Sequence, residues 1–254
     1  MALSWSLAAR SLIFSAALMG ILGAHEMGHY LACRYYDVDA TLPFFLPFPL
    51  LSIFGTLGAV IKIREPFPTR RALFDIGVAG PIAGFAVLVP LLFFAVWDSS
   101  LVQAPPVTRG WSFGEPLLFR MVVWLRFGPI PDGHQLNLHP VGFAAMFGML
   151  ATAWNLLPFG QFDGGHLAHA ALTDRSRYLS YFSVVATIGL SFMSISWIVL
   201  TVMMVAMLYF LGPRHPRALN EWEPIGAWRY AILAFAVVMF VLCVTPVPLE
   251  RIGN

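Results

Sequence analysis

The sequence predicts an all-α polytopic membrane protein of about six transmembrane helices, with a short membrane-associated extended or β segment near residues 41–64. Three observations predict it. Of the 254 residues, 59% are hydrophobic and 11% charged, too few charges to coat a soluble domain. Mean hydropathy is +0.76. The apolar residues gather into windows near the roughly 20 residues that cross a bilayer as a helix. A net charge of +2 is too small to suggest a nucleic-acid partner.

The first window runs from about Trp5 to Tyr35. Residues 1–24 are not expected to be a cleaved leader. The position three before a cut after Ala24 is Leu22, which is not small, and the apolar helix continues past it. The second window is about Phe74–Trp97 and the third about Val141–Leu157. Residues 178–212 form one apolar run that would make a straight helix of roughly 50 Å, too long for one crossing. A split near Ser194–Ser196 gives two short spans, and the last window is about Ala227–Val244.

Two segments are excluded from this set. Residues 41–63 carry Pro43, Pro47 and Pro49, which break a helix, and "TLGAVIKIRE" then alternates as a strand does. This segment is expected to lie extended against the protein, because bare backbone cannot face lipid. Residues 98–139 read as one long external loop, rich in Pro and Gly. Six spans put 10 of the 15 basic residues on one side: Arg34, Lys62, Arg64, Arg70, Arg71, Arg175, Arg177, Arg214, Arg217 and Arg229. The excess of positive charge marks the cytoplasmic side. It places the inner half of the first helix, and the lipid bilayer around it, accordingly.

That inner half contains "GAHEMGHYL". His25 and His29 are four apart, one turn along a single helix face. Two imidazoles so placed can bind one Zn²⁺, with Glu26 beside the metal to act on its water. The alternative is a polar pair that holds helices together, but ionisable groups inside a membrane are costly and usually functional. A catalytic zinc usually has three protein ligands and one open position. The third window ends at Pro158, and Asp163 follows in a glycine-rich turn, in "WNLLPFGQFDGGHL". An Asp-Gly pair is by itself an ordinary turn; beside the histidines it becomes the candidate third ligand.

"HEMGH" followed far downstream by "NLLPFGQFDGGH" resembles the site-2 protease family of intramembrane zinc metalloproteases. "FGTLGAVIKI", "ALFDIGVAGPIAGF" and "CVTPVPL" are similar to its bacterial and plastid-type branch. The match runs in order from about residue 20 to 170. The resemblance implies one Zn²⁺ per chain held by His25, His29 and Asp163, with Glu26 as general base. It implies that Asn155 helps hold the scissile carbonyl; its alternative role is interhelical packing. It implies hydrolysis of a peptide bond within or near a transmembrane segment of a membrane-protein substrate. Residues 1–254 are expected to form a single membrane domain, with a catalytic core over about 5–170 and C-terminal helices over 171–254. Neither a PDZ insertion, a CBS domain nor a span before the HExxH helix is expected.

A helical substrate must unwind before attack. The extended stretch near 55–64 is a candidate to hold it by strand addition, with Gly55 and Gly58 at the substrate; a flap that shields the metal is the alternative. Cys33 lies one turn beyond His29 and reads as a buried thiol rather than a fourth ligand. Cys243 falls on the opposite side by this topology, so no disulfide is expected. His166 reads as a ligand-orienting group or interface packing, and His134 and His139 as solvated loop residues. Gly80 and Gly84 favour close helix contact. Two rival functions share the polar cluster. A membrane metal-ion transporter needs no Glu26 beside its first ligand. An inactive scaffold needs no intact site at all.

Overall fold

The structure is a computed structural model, and it describes residues 2–47, 56–104, 110–212 and 218–252. Helix α1 spans Ala2–Tyr35. Its only charged residues are Arg10, Glu26 and Arg34. It ends where Asp37 turns left-handed (φ 53°), which lets Val38 N–H return to the Cys33 carbonyl at 2.9 Å. Aspartate tolerates this conformation better than most side chains.

Strands β1 (Phe44–Pro47) and β2 (Thr56–Val60) pair antiparallel. The extended segment expected over 41–64 is therefore strand at both ends. Gly58 sits in β2; Gly55 lies outside the described residues. Helix α2 (Arg70–Trp97) starts four residues earlier than its apolar window. Thr69 caps it, its hydroxyl accepting from Ala72 N–H at 3.1 Å.

The stretch 98–139 departs from the expected loop. It contains β3 (Ser100–Gln103), β4 (Gly110–Phe113), α3 (Leu117–Phe127) and β5 (His134–Asn137). Strands β3 and β5 pair antiparallel. Helix α3 buries Phe119, Val122 and Val123 against Leu88, Leu92, Met149 and Cys243. Their i, i+3, i+4 spacing is the helical stripe, too short here to stand out beside the flanking prolines and glycines.

Helix α4 (Pro140–Asn155) opens with Pro140 at its first position, and the His139 side chain accepts from Val141 N–H at 3.3 Å. His139 is therefore a helix cap, not a free loop residue. Helices α5 (Asp163–Leu172), α6 (Ser176–Ser191), α7 (Ser196–Leu211) and α8 (Ala227–Cys243) follow, and β6 (Leu249–Ile252) pairs antiparallel with β4. The split of the 178–212 run falls between α6 and α7, close to Ser194–Ser196. There Ser194 Oγ donates to the Leu249 carbonyl at 2.7 Å, and Trp197 Nε1 donates to the Pro246 carbonyl at 2.8 Å.

Two helices among the described residues are long and apolar enough to cross a membrane, over Ser6–Tyr35 and Arg70–Trp97. Ser196–Phe210 and Ala227–Cys243 are shorter apolar helices. Helices α4, α6 and α7 have 16 residues each, about 24 Å of rise against a hydrocarbon core of about 30 Å.

Helices α1 and α2 touch at backbone distance. A Cβ on Gly28 would lie 2.4 Å from the Ala79 carbonyl oxygen. Helix α5 is drawn against α2 in the same way, since a Cβ on Gly77 would lie 2.8 Å from His166 Cβ. Arg70 fixes the other end of α5: its Nε and Nη2 donate to the Ala170 carbonyl at 2.9 and 2.5 Å. These contacts bring the C-terminal half of α1 and the start of α5 to one place.

Candidate metal centre

His25 and His29 project from one face of α1, their ring centroids 4.9 Å apart. Both are buried. His29 Nδ1 lies 2.7 Å from the Ile76 carbonyl oxygen on α2. A carbonyl only accepts, so Nδ1 carries the hydrogen and Nε2 keeps its lone pair. That Nε2 lies 3.1 Å from His25 Nε2.

Asp163 closes the triangle. Its Oδ2 lies 3.1 Å from His25 Nε2 and its Oδ1 3.2 Å from His29 Nε2. The sequence placed this residue in an unwound turn; in the structure it is the first residue of α5. The chain unwinds just before it, over 156–162, after α4 ends at Asn155. The two glycines that follow permit this. A Cβ on Gly164 would lie 2.1 Å from the Leu156 carbonyl oxygen, and one on Gly165 2.3 Å from the Gly160 carbonyl oxygen. An acidic residue in the first turn also suits the positive end of the helix.

The three residues fit a metal ion. Donor atoms about 2.0–2.1 Å from a tetrahedral zinc stand about 3.3 Å from one another. Here the two imidazole Nε2 atoms are 3.1 Å apart, each faces a different oxygen of the Asp163 carboxylate, and one donor atom from each residue lies within 4.8 Å of the others. Asp163 Oδ2 is buried with no hydrogen-bond partner, although His25 Nε2 is close by; the approach lacks hydrogen-bond alignment. Converging lone pairs of this kind call for a shared cation. The opposite wall is a glycine cradle on α2. A Cβ on Gly80 would lie 2.1 Å from His29 Nε2, and one on Gly84 3.1 Å from His25 Cβ. Among the described residues, His25, His29 and Asp163 form the group able to hold a metal.

Glu26 and Asn155 border this centre. Glu26 Oε1 lies 4.0 Å from His25 Nε2, and its Oε2 accepts from Ile61 N–H at 3.2 Å, just beyond β2. Asn155, the last residue of α4, has Nδ2 3.3 Å from His25 Nε2. All five site residues named from the motifs therefore meet in one place. The backbone groups of Ile61 and Ile76 were not legible in the sequence, because every residue carries the same amide. Gly80 and Gly84 were legible as a helix contact, but not as the space the histidines occupy.

A family model described as Peptidase family M50 matches residues 13–196. The chain belongs to Peptidase family M50, the site-2 protease family. It is 29% identical over 238 residues to "Probable zinc metalloprotease EGY1, chloroplastic" of Arabidopsis thaliana, covering 91% of this chain and 42% of the relative. It is 30% identical over 236 residues to "Probable zinc metalloprotease EGY2, chloroplastic" of Oryza sativa subsp. indica, covering 88% and 40%. The chain thus spans about two fifths of the length of these plastid relatives. The M50 match runs from within α1 through α6 and so includes all five residues at the centre.

The remaining polar residues of this M50 chain have other settings. Cys33 is a free, buried thiol packed with Val38, Ala72 and Ile76. Cys243 is free and buried in a different cluster, beside α3. His166 stands against Gly77 with its ring edge-on to Phe67. His169 Nε2 lies 3.1 Å from Glu221 Oε1, and His134 is exposed.

Proposed function

We propose that this chain is a zinc metalloprotease that hydrolyses a peptide bond within or near a transmembrane segment of a membrane-protein substrate. The observation that carries the reading is the convergence of His25 Nε2, His29 Nε2 and the Asp163 carboxylate within 4.8 Å of one another, with the Glu26 carboxylate next to His25 on the same helix. The relatives' printed description as zinc metalloproteases supports it.

His25, His29 and Asp163 would hold a zinc ion, which when bound would supply an activated water and a Lewis acid for the peptide carbonyl. The chain's own residues do the rest. Glu26 takes the water's proton on its carboxylate and hands it to the departing amine nitrogen. Asn155 donates from Nδ2 to the oxyanion as the carbonyl carbon becomes tetrahedral. Ile76 fixes the His29 ring through Nδ1 and keeps Nε2 free to ligate. The Ile61 amide, which donates to Glu26, ties the β1–β2 hairpin to the general base. A substrate unwound alongside β2 then lies within reach of Glu26, and Gly55 and Gly58 are the residues assigned to it.

The reading extends to topology. About six spans cross the bilayer in a single membrane domain over 1–254. Its catalytic core covers about 5–170, and helices over 171–254 pack beside it. The basic loops face the cytoplasm, and with them the metal centre, so cleavage releases a cytoplasmic fragment. The test is Glu26→Gln in purified protein, offered a transmembrane peptide. The expected result is zinc retained and cleavage lost. A variant that still cleaves overturns the assignment, and a wild type that moves metal but cleaves nothing points to a transporter.

A further inference from the structure

Helix α8 begins at Ala227, beyond the residues matched by the family model. Its single charged residue is Arg229, which is buried. All three guanidinium nitrogens are engaged. Nε donates to Asp75 Oδ1 at 2.7 Å, Nη2 to Asp75 Oδ2 at 2.5 Å, and Nη1 to the Ile225 carbonyl at 2.7 Å. The guanidinium also lies over the Trp228 ring, 4.3 Å from its centroid. Tyr36, just past the end of α1, donates its hydroxyl to the same Asp75 Oδ2. Burial and the Asp75 carboxylate push the Tyr36 phenol up to about 12, so it keeps its proton through the neutral range.

Asp75 immediately precedes Ile76, whose carbonyl holds His29. Two consecutive residues of α2 are therefore tied to α1, one through Tyr36 and one through His29. A slide of α2 along α1 by one residue is a rise of about 1.5 Å, enough to break the 2.7 Å contact between His29 and Ile76. Gly80 and Gly84 must also stay opposite His29 and His25, or side chains collide. A bidentate arginine fork is the side-chain contact best suited to fixing such a position.

We infer that Arg229, acting with Tyr36 on Asp75, is a positioning residue for the metal centre: it locks the axial register of α2 against α1 and so aims His29 Nε2 at the metal. The inference rests on the reading of His25, His29 and Asp163 as a zinc site. It gives α8 a role in the chemistry without any contact to metal or substrate.

The experiment measures zinc affinity by competition with a chromogenic chelator for wild type, Arg229→Met, Arg229→Lys and Tyr36→Phe, each with its thermal midpoint. Loss of partners behind a metal ligand typically weakens metal binding about 10–100-fold. Arg229→Met should fall in that range. Arg229→Lys keeps the charge without the fork and should recover part of the loss. Tyr36→Phe keeps the Arg229–Asp75 ion pair but cuts the tie from Asp75 to the end of α1, so it should also weaken zinc binding within that range. If Arg229→Met does not fold, the two milder variants carry the test. Folded variants with lower thermal midpoints and wild-type zinc affinity would reduce the cluster to helix packing and overturn the inference. A wild type that binds no zinc would instead overturn the metal reading itself.

Discussion

Replacing Gly80 with alanine adds one methyl group to the wall behind His29. That Cβ would lie 2.1, 2.4 and 2.5 Å from Nε2, Cδ2 and Cε1 of the ring. Contacts below 3.4 Å are already tighter than most real ones, so either the ring retreats by about 1.3 Å or the helices part. Ligand distances in a working site hold to within about 0.2 Å, so neither movement is compatible with the three donors as placed. Overpacking of this kind typically costs about 1–3 kcal/mol of stability. The larger consequence falls on the metal: affinity should drop by at least about 100-fold, the upper end for disturbed metal surroundings. Metal analysis by mass spectrometry, beside a thermal melt, reads both effects. Gly20→Ala is the control on α1, because a Cβ there meets nothing within 4 Å. It should leave zinc content untouched. Stoichiometric zinc at wild-type affinity in folded Gly80→Ala would refute the cradle.

Three further outcomes are expected. Asn155→Ala should slow cleavage on the order of 10²–10³, as loss of one oxyanion donor does, with zinc content unchanged; unaltered turnover would return Asn155 to packing. Bulky residues at Gly55 or Gly58 should slow cleavage of a transmembrane substrate and spare a short, already unwound peptide; equal slowing of both would remove the hairpin from substrate handling. Reporter fusions in 98–139 should read as external and in 213–226 as cytoplasmic; the reverse pattern would invert the direction of release.

What was legible in the sequence follows from what each feature needs. His25, Glu26 and His29 form a local pattern, fixed by the pitch of one helix, and Asp163 stood out by its setting after a helix break. The α6–α7 division was legible because one helix of that length cannot fit a bilayer. Helix α3 was not, because its apolar stripe is three residues long. Strands β4 and β6 pair across more than 100 residues, and no local signal marks such a partner. The number of spans depends on lipid contact, which short helices such as α4 and α6 do not declare by length alone. By sequence alone Arg229 belongs with the loop charges that set orientation. Its burial against Asp75 shows that a basic residue at a helix start can serve the interior instead.

Everything proposed for this chain depends on His25, His29 and Asp163 together holding one zinc ion. Metal content of protein purified without chelator tests it most directly, in wild type, in the His25→Ala, His29→Ala double variant and in Asp163→Ala. One zinc per chain is expected in wild type, almost none in the double variant and a marked loss in Asp163→Ala. Wild-type zinc content in the double variant would contradict it.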